Sequence, residues 1–411
     1  MFASKKESPS RVGRRAFLGG VGVAAVGAQL ATSRPAAAVA TPPTHGPVTI
    51  WGTSPDALPY PIADQTVRVT VRATIGARRL RVRLSNAFGT APLPVGSAYL
   101  GRRSAGAALV SGTNKALTFG GSTAITVPPG AEVISDPVPL LIGPGDDLAI
   151  SVYTPGRFEQ VTGHLRPKDF SFLSPPGDAA ADESGTAFRT PVEHWFWVDA
   201  VIGEGEPSAG TIVALGDSIT DSGSLPRGGY QGWCDFLAER IAATLPPPRR
   251  PAILNAGISG NRLITERPGA GVTAQARLDR DVLSHAGVRT VIVLEGINDI
   301  YGSAATSADL IAAHRQIAYR AAARGLRVIA GTVLPSHRGA YTEQRERVRT
   351  ELNAYLRSGA DHDGVIDFDA ALRDPEDPTS LLPEYDSGDR THPSPAGYRA
   401  MADAVELRLL G

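Results

Sequence analysis

Three side chains in the second half of the chain have the types that nucleophilic catalysis needs: Ser218, Asp389 and His392. A serine hydroxyl is a weak nucleophile until a neighbouring imidazole takes its proton, and a carboxylate can hold that imidazole in the required tautomer. Asp389 lies only one short turn before His392, so both side chains can point the same way. His392 also comes just before a predicted helix, because Ser394 suits an N-cap and Pro395 the first helical position. The pattern therefore predicts a Ser-His-Asp nucleophilic unit.

Attack on a carbonyl group also needs donors for the charge that develops on its oxygen, and losing one donor typically costs about 10²–10³ in rate. The candidates are the backbone N–H groups of Ser218 and Gly257 and the side-chain amide of Asn298. Glycine at position 257 would let the backbone approach a substrate oxygen closely. Asn261 and Arg262 follow in the same segment and are candidates for lining the substrate pocket, with a role in surface structure as the alternative.

The elements around these residues indicate an α/β domain. Apolar runs that read as buried strands alternate with helical patterns, which is typical of a parallel sheet covered on both faces. One helical pattern spans residues 308–324 and ends at Gly325, a natural C-cap. The expected strands are 211–215, 252–254, 288–294, 327–334 and 364–368. Ligands bind beyond the carboxyl ends of such strands, and Ser218, Gly257 and Asn298 follow the first three of them.

The first half of the chain, from about residue 48 to 202, has the pattern of β-strands. Residues 65–72, 80–85 and 148–152 alternate apolar and polar side chains, and long helical patterns are missing. We expect an antiparallel β-sandwich or jelly-roll-like domain here. Three aromatic residues near its end, Trp195 to Trp197, suggest either a sugar-binding surface or core packing. The predicted division is 41–205 for the β-rich accessory domain and 206–411 for the α/β domain.

Residues 1–40 have the layout of an export signal that is removed from the mature protein. Basic residues come first, an uncharged stretch follows from 16 to 28, and small-residue cleavage sites lie near residues 36–40. Arg14 and Arg15, followed by Ala16-Phe17-Leu18, are similar to a twin-arginine signal, with the ordinary secretory route as the alternative. No later segment has eighteen consecutive apolar residues, so no integral membrane segment is expected after signal removal. The mature protein is expected outside the cytoplasm.

Composition excludes several functional classes. The chain has 411 residues, of which 42% are hydrophobic, and its 41 basic and 41 acidic residues leave no net charge, so no nucleic-acid partner is expected. Cys234 is the only cysteine, which excludes an intrachain disulfide and a cysteine-based metal site. Residues 361–364, Asp-His-Asp-Gly, have metal-ligand types but precede a strand as a polar turn would. We expect no metal.

Four ordered segments of the second half resemble the sequence blocks of the GDSL, or SGNH, hydrolases. The family's serine, glycine, asparagine and histidine match Ser218, Gly257, Asn298 and His392, and isoleucine replaces the leucine of the GDSL motif. The segments are Gly216-Asp217-Ser218-Ile219, Gly257, Gly296-Ile297-Asn298-Asp299 and Asp389-Arg390-Thr391-His392. The competing α/β-hydrolase elbow, Gly-x-Ser-x-Gly, is disfavoured because Thr220 stands where its second glycine would be.

The resemblance implies a flavodoxin-like, five-stranded parallel sheet with helices on both faces, and a secreted serine esterase that needs no cofactor. It favours small-molecule or polysaccharide esters, above all short-chain acyl (acetyl) esters of carbohydrates or small alcohols. Three alternatives stay open at this point. They are a lipase or phospholipase acting on longer acyl chains, an O-acyltransferase that passes the acyl group to a sugar hydroxyl, and a carbohydrate-binding protein with an inactive hydrolase domain. The oligomeric state is not determined.

Overall fold

The chain is described from a computed structural model, which covers residues 46–337, 339 and 341–410. The predicted export signal at residues 1–40 lies outside the described residues. Within them, no helix is both long enough and apolar enough to cross a membrane.

The first part of the described chain consists of strands, as predicted. They are β1 (Val48–Gly52), β2 (Asp56–Leu58), β3 (Ile62–Arg72), β4 (Ala77–Ser85), β5 (Leu93–Val95), β6 (Ser97–Ala105), β7 (Ala108–Leu109), β8 (Lys115–Ala116), β9 (Ile125–Val127), β10 (Glu132–Ile134), β11 (Val138–Ile142), β12 (Asp147–Phe158), β13 (Val161–His164), β14 (Ser171–Pro176), β15 (Thr190–Val192), β16 (Trp195–Phe196) and β17 (Val198–Glu204).

These strands form two large antiparallel sheets and two small ones. One large sheet has the order β1-β17-β4-β10, with β11 also paired to β4, and the other has the order β15-β14-β3-β12-β6-β7, with β8 paired to β6. The small sheets are β16-β13-β2 and β5-β9. Val69 of β3 and Val82 of β4 belong to one hydrophobic core to which both large sheets contribute. A shared core between two antiparallel sheets is compatible with the predicted sandwich.

The aromatic run Trp195, Phe196 and Trp197 lies inside this core. All three side chains are almost completely buried, and the indole Nε1 of Trp195 donates a hydrogen bond of 3.0 Å to the carbonyl of Thr70. A buried Trp N–H needs such a partner. Core packing therefore accounts for the run.

The second part alternates strands and helices. Its elements are β18 (Thr211–Gly216), α1 (Ser218–Asp221), α2 (Trp233–Thr244), β19 (Ala252–Gly257), α3 (Ala274–Leu278), β20 (Val288–Leu294), α4 (Ile297–Gly302), α5 (Ser307–Ala322), β21 (Arg327–Gly331), α6 (Glu343–Ser358), β22 (Gly364–Ile366), α7 (Phe368–Leu372) and α8 (Pro395–Ala404). Short 3₁₀ turns lie at Pro247–Arg249, Pro383–Tyr385 and Leu407–Leu409, and a π-helical turn follows α3 at Asp279–Leu283.

The five strands of this part pair in parallel in the order β19-β18-β20-β21-β22, so the predicted five-stranded parallel sheet is confirmed. Every residue of β18, an interior strand of this sheet, is buried, as covering on both faces requires. Gly216 at the end of β18 pairs with Gly257 of β19 and with Leu294 of β20. The segments that follow these three strands therefore leave the sheet at the same edge.

Two strands are shorter than the sequence predicted. β21 ends at Gly331 rather than residue 334, and β22 ends at Ile366 rather than residue 368. The reason at β22 is a helix cap: the Asp367 side chain accepts a hydrogen bond from the Ala370 N–H and starts α7 there. The predicted helix at 308–324 is α5, Ser307–Ala322, and Gly325 beyond it has the left-handed φ of +74° expected of a C-terminal glycine.

The strands of the first part and of the second part belong to separate sheets, and the two parts touch along β1. The N–H of Thr49 in β1 donates to the carbonyl of Ala286, and the hydroxyl of Thr211 donates to the carbonyl of Thr49, both at 2.9 Å. The predicted boundary at residues 205 and 206 falls between β17 and β18. It remains a prediction.

Candidate active site

Ser218 lies at the carboxyl edge of the sheet, where β18 turns into α1. The side chain of Asp217 caps this helix by accepting a hydrogen bond of 2.9 Å from the Ile219 N–H, so Asp217 is the N-cap and Ser218 is the first helical residue. The Ser218 hydroxyl is therefore not used to cap its own helix. It points towards His392.

The structure brings the three predicted catalytic side chains together. Ser218 Oγ lies 2.8 Å from His392 Nε2, and His392 Nδ1 lies 2.6 Å from Asp389 Oδ2. Both distances are those of hydrogen bonds, and they connect hydroxyl, imidazole and carboxylate in series. This is the order that proton transfer from a serine requires.

A local turn holds Asp389 in this position. Its Oδ1 accepts hydrogen bonds from the N–H groups of Thr391 (3.0 Å) and His392 (2.8 Å), while Oδ2 faces the imidazole. Arg390 has a left-handed φ of +62°, which bends the chain between carboxylate and imidazole. Partial burial raises the pKa of Asp389, but the hydrogen bonds from His392 and the charge of that side chain outweigh burial and leave the pKa lowered. The carboxylate therefore stays ionised at neutral pH.

The amide of Asn298 reaches the same place from the start of α4. Its Nδ2 donates one hydrogen bond, of 2.9 Å, to the backbone carbonyl of Asn261, which fixes the direction of the amide. An amide nitrogen carries two hydrogens, so a second donor remains. Asn298 lines the same cavity as Ser218 and His392.

The predicted role of Gly257 in binding the oxyanion is not supported by its position. Its N–H donates to Asn255 Oδ1 at 3.0 Å, and Gly257 is not among the residues that line the cavity of Ser218. A Cβ at this position would come within 2.2 Å of the Asp221 backbone nitrogen. Glycine is needed here because the backbone of α1 packs directly against it, not because a substrate does.

Gly260, in the same segment, has the position that was predicted for Gly257. It lines the cavity together with Ser218 and Asn298, and its φ of +82° is left-handed. Among the described residues, no acceptor is recorded for its N–H. The spacing within Asn255-Ala256-Gly257-Ile258-Ser259-Gly260 could not separate the two glycines, because Gly257 ends β19 and Gly260 lies only three residues further along.

The structure also separates the two predicted pocket residues Asn261 and Arg262. Asn261 is 1% exposed, and its Nδ2 donates to the carbonyls of Ala270 and Val272, so its side chain supports the loop and does not line the cavity. Arg262 does line the cavity, and its Nη2 donates to the carbonyl of Gly302 at 2.7 Å.

A buried arginine that the sequence did not single out joins the edge of the sheet. Arg277 of α3 is completely buried, and its guanidinium donates to the carbonyls of Gly216 (2.8 Å) and Ala256 (2.7 Å) and to Asn261 Oδ1 (3.0 Å). One side chain thus holds the ends of β18 and β19 and the loop behind the cavity. The only sign of this role in the sequence is an arginine on an otherwise apolar helical face, and that pattern does not show which groups the arginine contacts.

The β-rich part contacts α1 through His164. Its Nε2 lies 3.1 Å from Asp221 Oδ1, its Nδ1 lies 2.9 Å from the Ser54 carbonyl, and Asp221 Oδ2 accepts the N–H of Ser259. Both ring nitrogens face acceptors, so only the charged imidazolium donates to both. Burial opposes this charge, but the carboxylate of Asp221 and the hydrogen bonds outweigh burial and raise the pKa of His164 above 6.5.

His164→Gln is expected to reduce the free energy of unfolding by about 3–5 kcal/mol at pH 6, because it breaks a buried ion pair. A raised folded-state pKa gives stability that is complete below 6.5 and is lost as pH rises through the raised value, so the effect shrinks by pH 9. Urea unfolding at both pH values measures it. His194→Gln is the control, because His194 contacts the Leu165 carbonyl and no carboxylate. Equal losses at pH 6 and pH 9 would contradict the charged pair.

The cavity over Ser218 has a volume of about 520 Å³ and is open to solvent. Leu165 and Arg166 of the β-rich part form one wall of it. The other walls come from the segments after β18, β19 and β20, from Ser336 after β21, and from the segment before α8 that carries Asp389 and His392. Much of the lining is polar. Among the described residues, no group of three or more His, Cys, Asp or Glu side chains could hold a metal ion.

A hydroxyl, an imidazole and a carboxylate in series, beside N–H donors at the edge of a parallel sheet, are the arrangement of the serine hydrolases. The sequence comparison agrees: residues 214–400 match the model of the GDSL-like lipase/acylhydrolase family, and this domain belongs to that family. The chain is a carboxylic ester hydrolase, as predicted. The β-rich part lies outside the match.

Solved structures similar to the chain include three hydrolases. A lipase/acylhydrolase from Enterococcus faecalis is 25% identical, and the match covers 47% of this chain and 92% of that one, with a TM-score of 0.37. A GDSL-family lipolytic protein from Desulfitobacterium hafniense is 20% identical over 47% and 96%, with a TM-score of 0.37. A variant of an acetyl xylan esterase from Geobacillus stearothermophilus is 22% identical over 49% and 92%, with a TM-score of 0.38. The comparison with curated proteins found no match.

Proposed function

We propose that the chain is an exported serine esterase that cleaves short-chain acyl esters by acyl transfer through Ser218. One observation carries the proposal: the hydrogen bonds of 2.8 Å and 2.6 Å that connect Ser218 Oγ, the two ring nitrogens of His392 and Asp389 Oδ2. Export rests on the pattern of residues 1–40, with its paired Arg14 and Arg15.

In the first step Ser218 Oγ attacks the ester carbonyl carbon while His392 Nε2 takes the hydroxyl proton. Asp389 holds Nδ1–H and stabilises the imidazolium that forms. The carbonyl oxygen becomes an oxyanion, and three donors are available for it: the N–H groups of Ser218 and Gly260 and Nδ2 of Asn298. Donors that are fixed before the reaction need little reorganisation when the charge develops.

In the second step the tetrahedral intermediate collapses and the C–O bond to the alcohol breaks. His392 Nε2 now gives its proton to the departing alcohol oxygen, and the acyl group stays on Ser218 Oγ. Water then attacks the acyl-enzyme, with His392 again as the base, and releases the carboxylic acid and the free hydroxyl of Ser218. One water molecule and the side chains of Ser218 and His392 complete the cycle in this proposal.

The dimensions of the cavity favour short acyl groups on small or carbohydrate alcohols. A volume of about 520 Å³ accommodates a small ester, and its polar lining offers hydrogen-bond partners to hydroxyl groups. A long acyl chain would instead need a continuous apolar channel.

A fluorophosphonate probe and a panel of nitrophenyl esters test the proposal. We expect the probe to attach to Ser218, as identified by mass spectrometry of the labelled peptide, and we expect kcat/KM to fall from acetyl towards long-chain esters. Acetylated polysaccharides in the same panel test the carbohydrate part. Labelling of a different serine contradicts the assignment of the nucleophile, and a maximum at long chains contradicts the short-chain preference.

A further inference from the structure

Three arginines line the cavity of Ser218: Arg166, Arg262 and Arg267. Among the described lining residues the only carboxylate is Asp389, and its oxygens accept hydrogen bonds from His392 and the neighbouring backbone. No ion pair is recorded for any of the three guanidinium groups within the described chain. The cavity wall therefore carries three guanidinium charges against the single carboxylate of Asp389, which leaves an excess of positive charge.

Arg267 lies beside Gly260, one of the proposed oxyanion donors. A Cβ built on Gly260 would be 3.2 Å from Arg267 Nη1, so the guanidinium packs against the left-handed turn at Gly260. The Arg267 side chain is exposed, and no hydrogen bond to the described residues is recorded for it. It is free to bind a group of the substrate.

Arg166 approaches from the β-rich part. A Cβ on Gly223 would lie 2.8 Å from Arg166 Cβ and 3.1 Å from Ser259 Oγ, so this arginine crosses the loop after α1 beside Ser259. It is exposed like Arg267, and it belongs to a different element of the chain. Two segments that are distant along the chain thus each contribute one arginine, Arg166 or Arg267, to the same cavity.

Arg262 is held more firmly. Its Nη2 donates to the Gly302 carbonyl at 2.7 Å and its Nη1 to Thr265 Oγ1 at 3.3 Å, while its buried Nε has no partner within the described residues. Burial raises the pKa of Asp299, and the charge of Arg262 is one of the influences that oppose this rise. The carboxylate oxygens of Asp299 nevertheless bond to the backbone, because they accept hydrogen bonds from the N–H groups of Leu263 and Ile264. The charge of Arg262 therefore still acts on the cavity.

We propose that this cluster is a carboxylate subsite, so that the enzyme prefers esters carrying a carboxylate close to the ester bond that is cleaved. The proposal rests on the esterase function proposed above and names its substrate class. Guanidinium groups match planar carboxylates with paired hydrogen bonds, which lysine cannot do. Clustered like charges repel each other in the empty cavity, and a bound carboxylate removes that repulsion.

The carboxylate has two possible sources, the acyl part or the alcohol part of the ester. For the acyl part, we compare the hemisuccinate of 4-nitrophenol with its methyl ester. For the alcohol part, we compare 3-acetoxybenzoate with its methyl ester. The measured quantity is the ratio of kcat/KM for the charged ester to kcat/KM for the neutral ester. A substitution that only slows the acyl-transfer step affects both esters alike, so its effect cancels in this ratio.

Arg267→Gln is expected to lower this ratio by about tenfold or more in at least one arm, as loss of a charge-assisted hydrogen bond would. Arg166→Gln is expected to lower it as well, and adding salt to the unmodified protein is expected to reduce the preference. The matched control is Arg324→Gln, which removes the same charge in the connection between α5 and β21. This connection enters β21 at its amino end, and hence lies at the opposite end of the sheet from the cavity. The arm that responds identifies which part of the substrate carries the carboxylate.

The carboxylate subsite would be overturned if, in both arms, the Arg267→Gln and Arg166→Gln proteins had the same ratio as the Arg324→Gln control. Hydrolysis of neutral esters would continue in that case, so the esterase function would stand. Absence of hydrolysis of all four esters, with the unmodified chain no faster than Ser218→Ala, would instead overturn the proposed function itself.

Discussion

Ser218→Ala is expected to lose about 10⁴–10⁶ in kcat, which is the range for removing the nucleophile of a serine hydrolase. The substitution takes away the only oxygen that can form the acyl-enzyme, while the oxyanion donors and the cavity remain. Stability should change little, because the hydroxyl makes one recorded hydrogen bond, to His392 Nε2, and does not cap α1. Initial rates with a nitrophenyl acetate and a thermal melt measure the two quantities.

The matched control for this prediction is Ser224→Ala. Ser224 lines the same cavity and is exposed, but it has no recorded contact with His392 or Asp389. A surface change of this kind is expected to alter the rate by less than about tenfold. A purified Ser218→Ala protein with the activity of the Ser224→Ala protein would show that another residue is the nucleophile.

Asn298→Ala is expected to lower kcat by about 10²–10³ and to leave KM nearly unchanged, as the loss of one oxyanion donor does. The amide contacts an oxygen whose charge is small in the bound ester and large in the transition state, so its energy appears mainly in kcat. Removing the hydrogen bond to the Asn261 carbonyl should cost only about 1 kcal/mol of stability. Steady-state kinetics on one short-chain ester, with a melt as the folding control, separates these effects.

Asn298→Asp provides a second variant with nearly the same shape. It replaces the donor by an acceptor and adds a negative charge beside the developing oxyanion, so we expect a loss at least as large as that of Asn298→Ala. A loss confined to KM in both variants would assign Asn298 to ground-state binding. That result would leave Ser218 and Gly260 as the oxyanion donors.

Local patterns were sufficient to predict the α/β sheet and the contact between two of the proposed catalytic residues. The parallel sheet followed from apolar runs separated by helical patterns, and the partnership of Asp389 and His392 followed from their closeness along the chain. The apolar and helical patterns that indicate each strand and helix lie within single elements, and the contact of Asp389 with His392 lies within one turn. Neighbouring residues are enough to reveal such features, so the sequence predicts them correctly.

The two glycines at the end of β19 show where such reading fails. Gly257 and Gly260 are only three residues apart, and either would suit a close backbone approach. The distinction depends on what packs against each of them: the backbone of α1 contacts Gly257, whereas the cavity adjoins Gly260. Contacts between distant segments of the chain decide this, and a local pattern contains no information about them.

The amino-acid sequence by itself determined the class of the sheet, the order of the proposed catalytic residues along the chain and the pairing of Asp389 with His392. Only the tertiary structure decided that Ser218 meets His392, that Arg277 joins the strand ends, and that His164 and Arg166 of the β-rich part reach the active-site region. The physical reason is how far apart along the chain the interacting residues lie. Periodicity and turns express interactions between neighbours, whereas a cavity is formed by side chains that come together only when the whole core has packed.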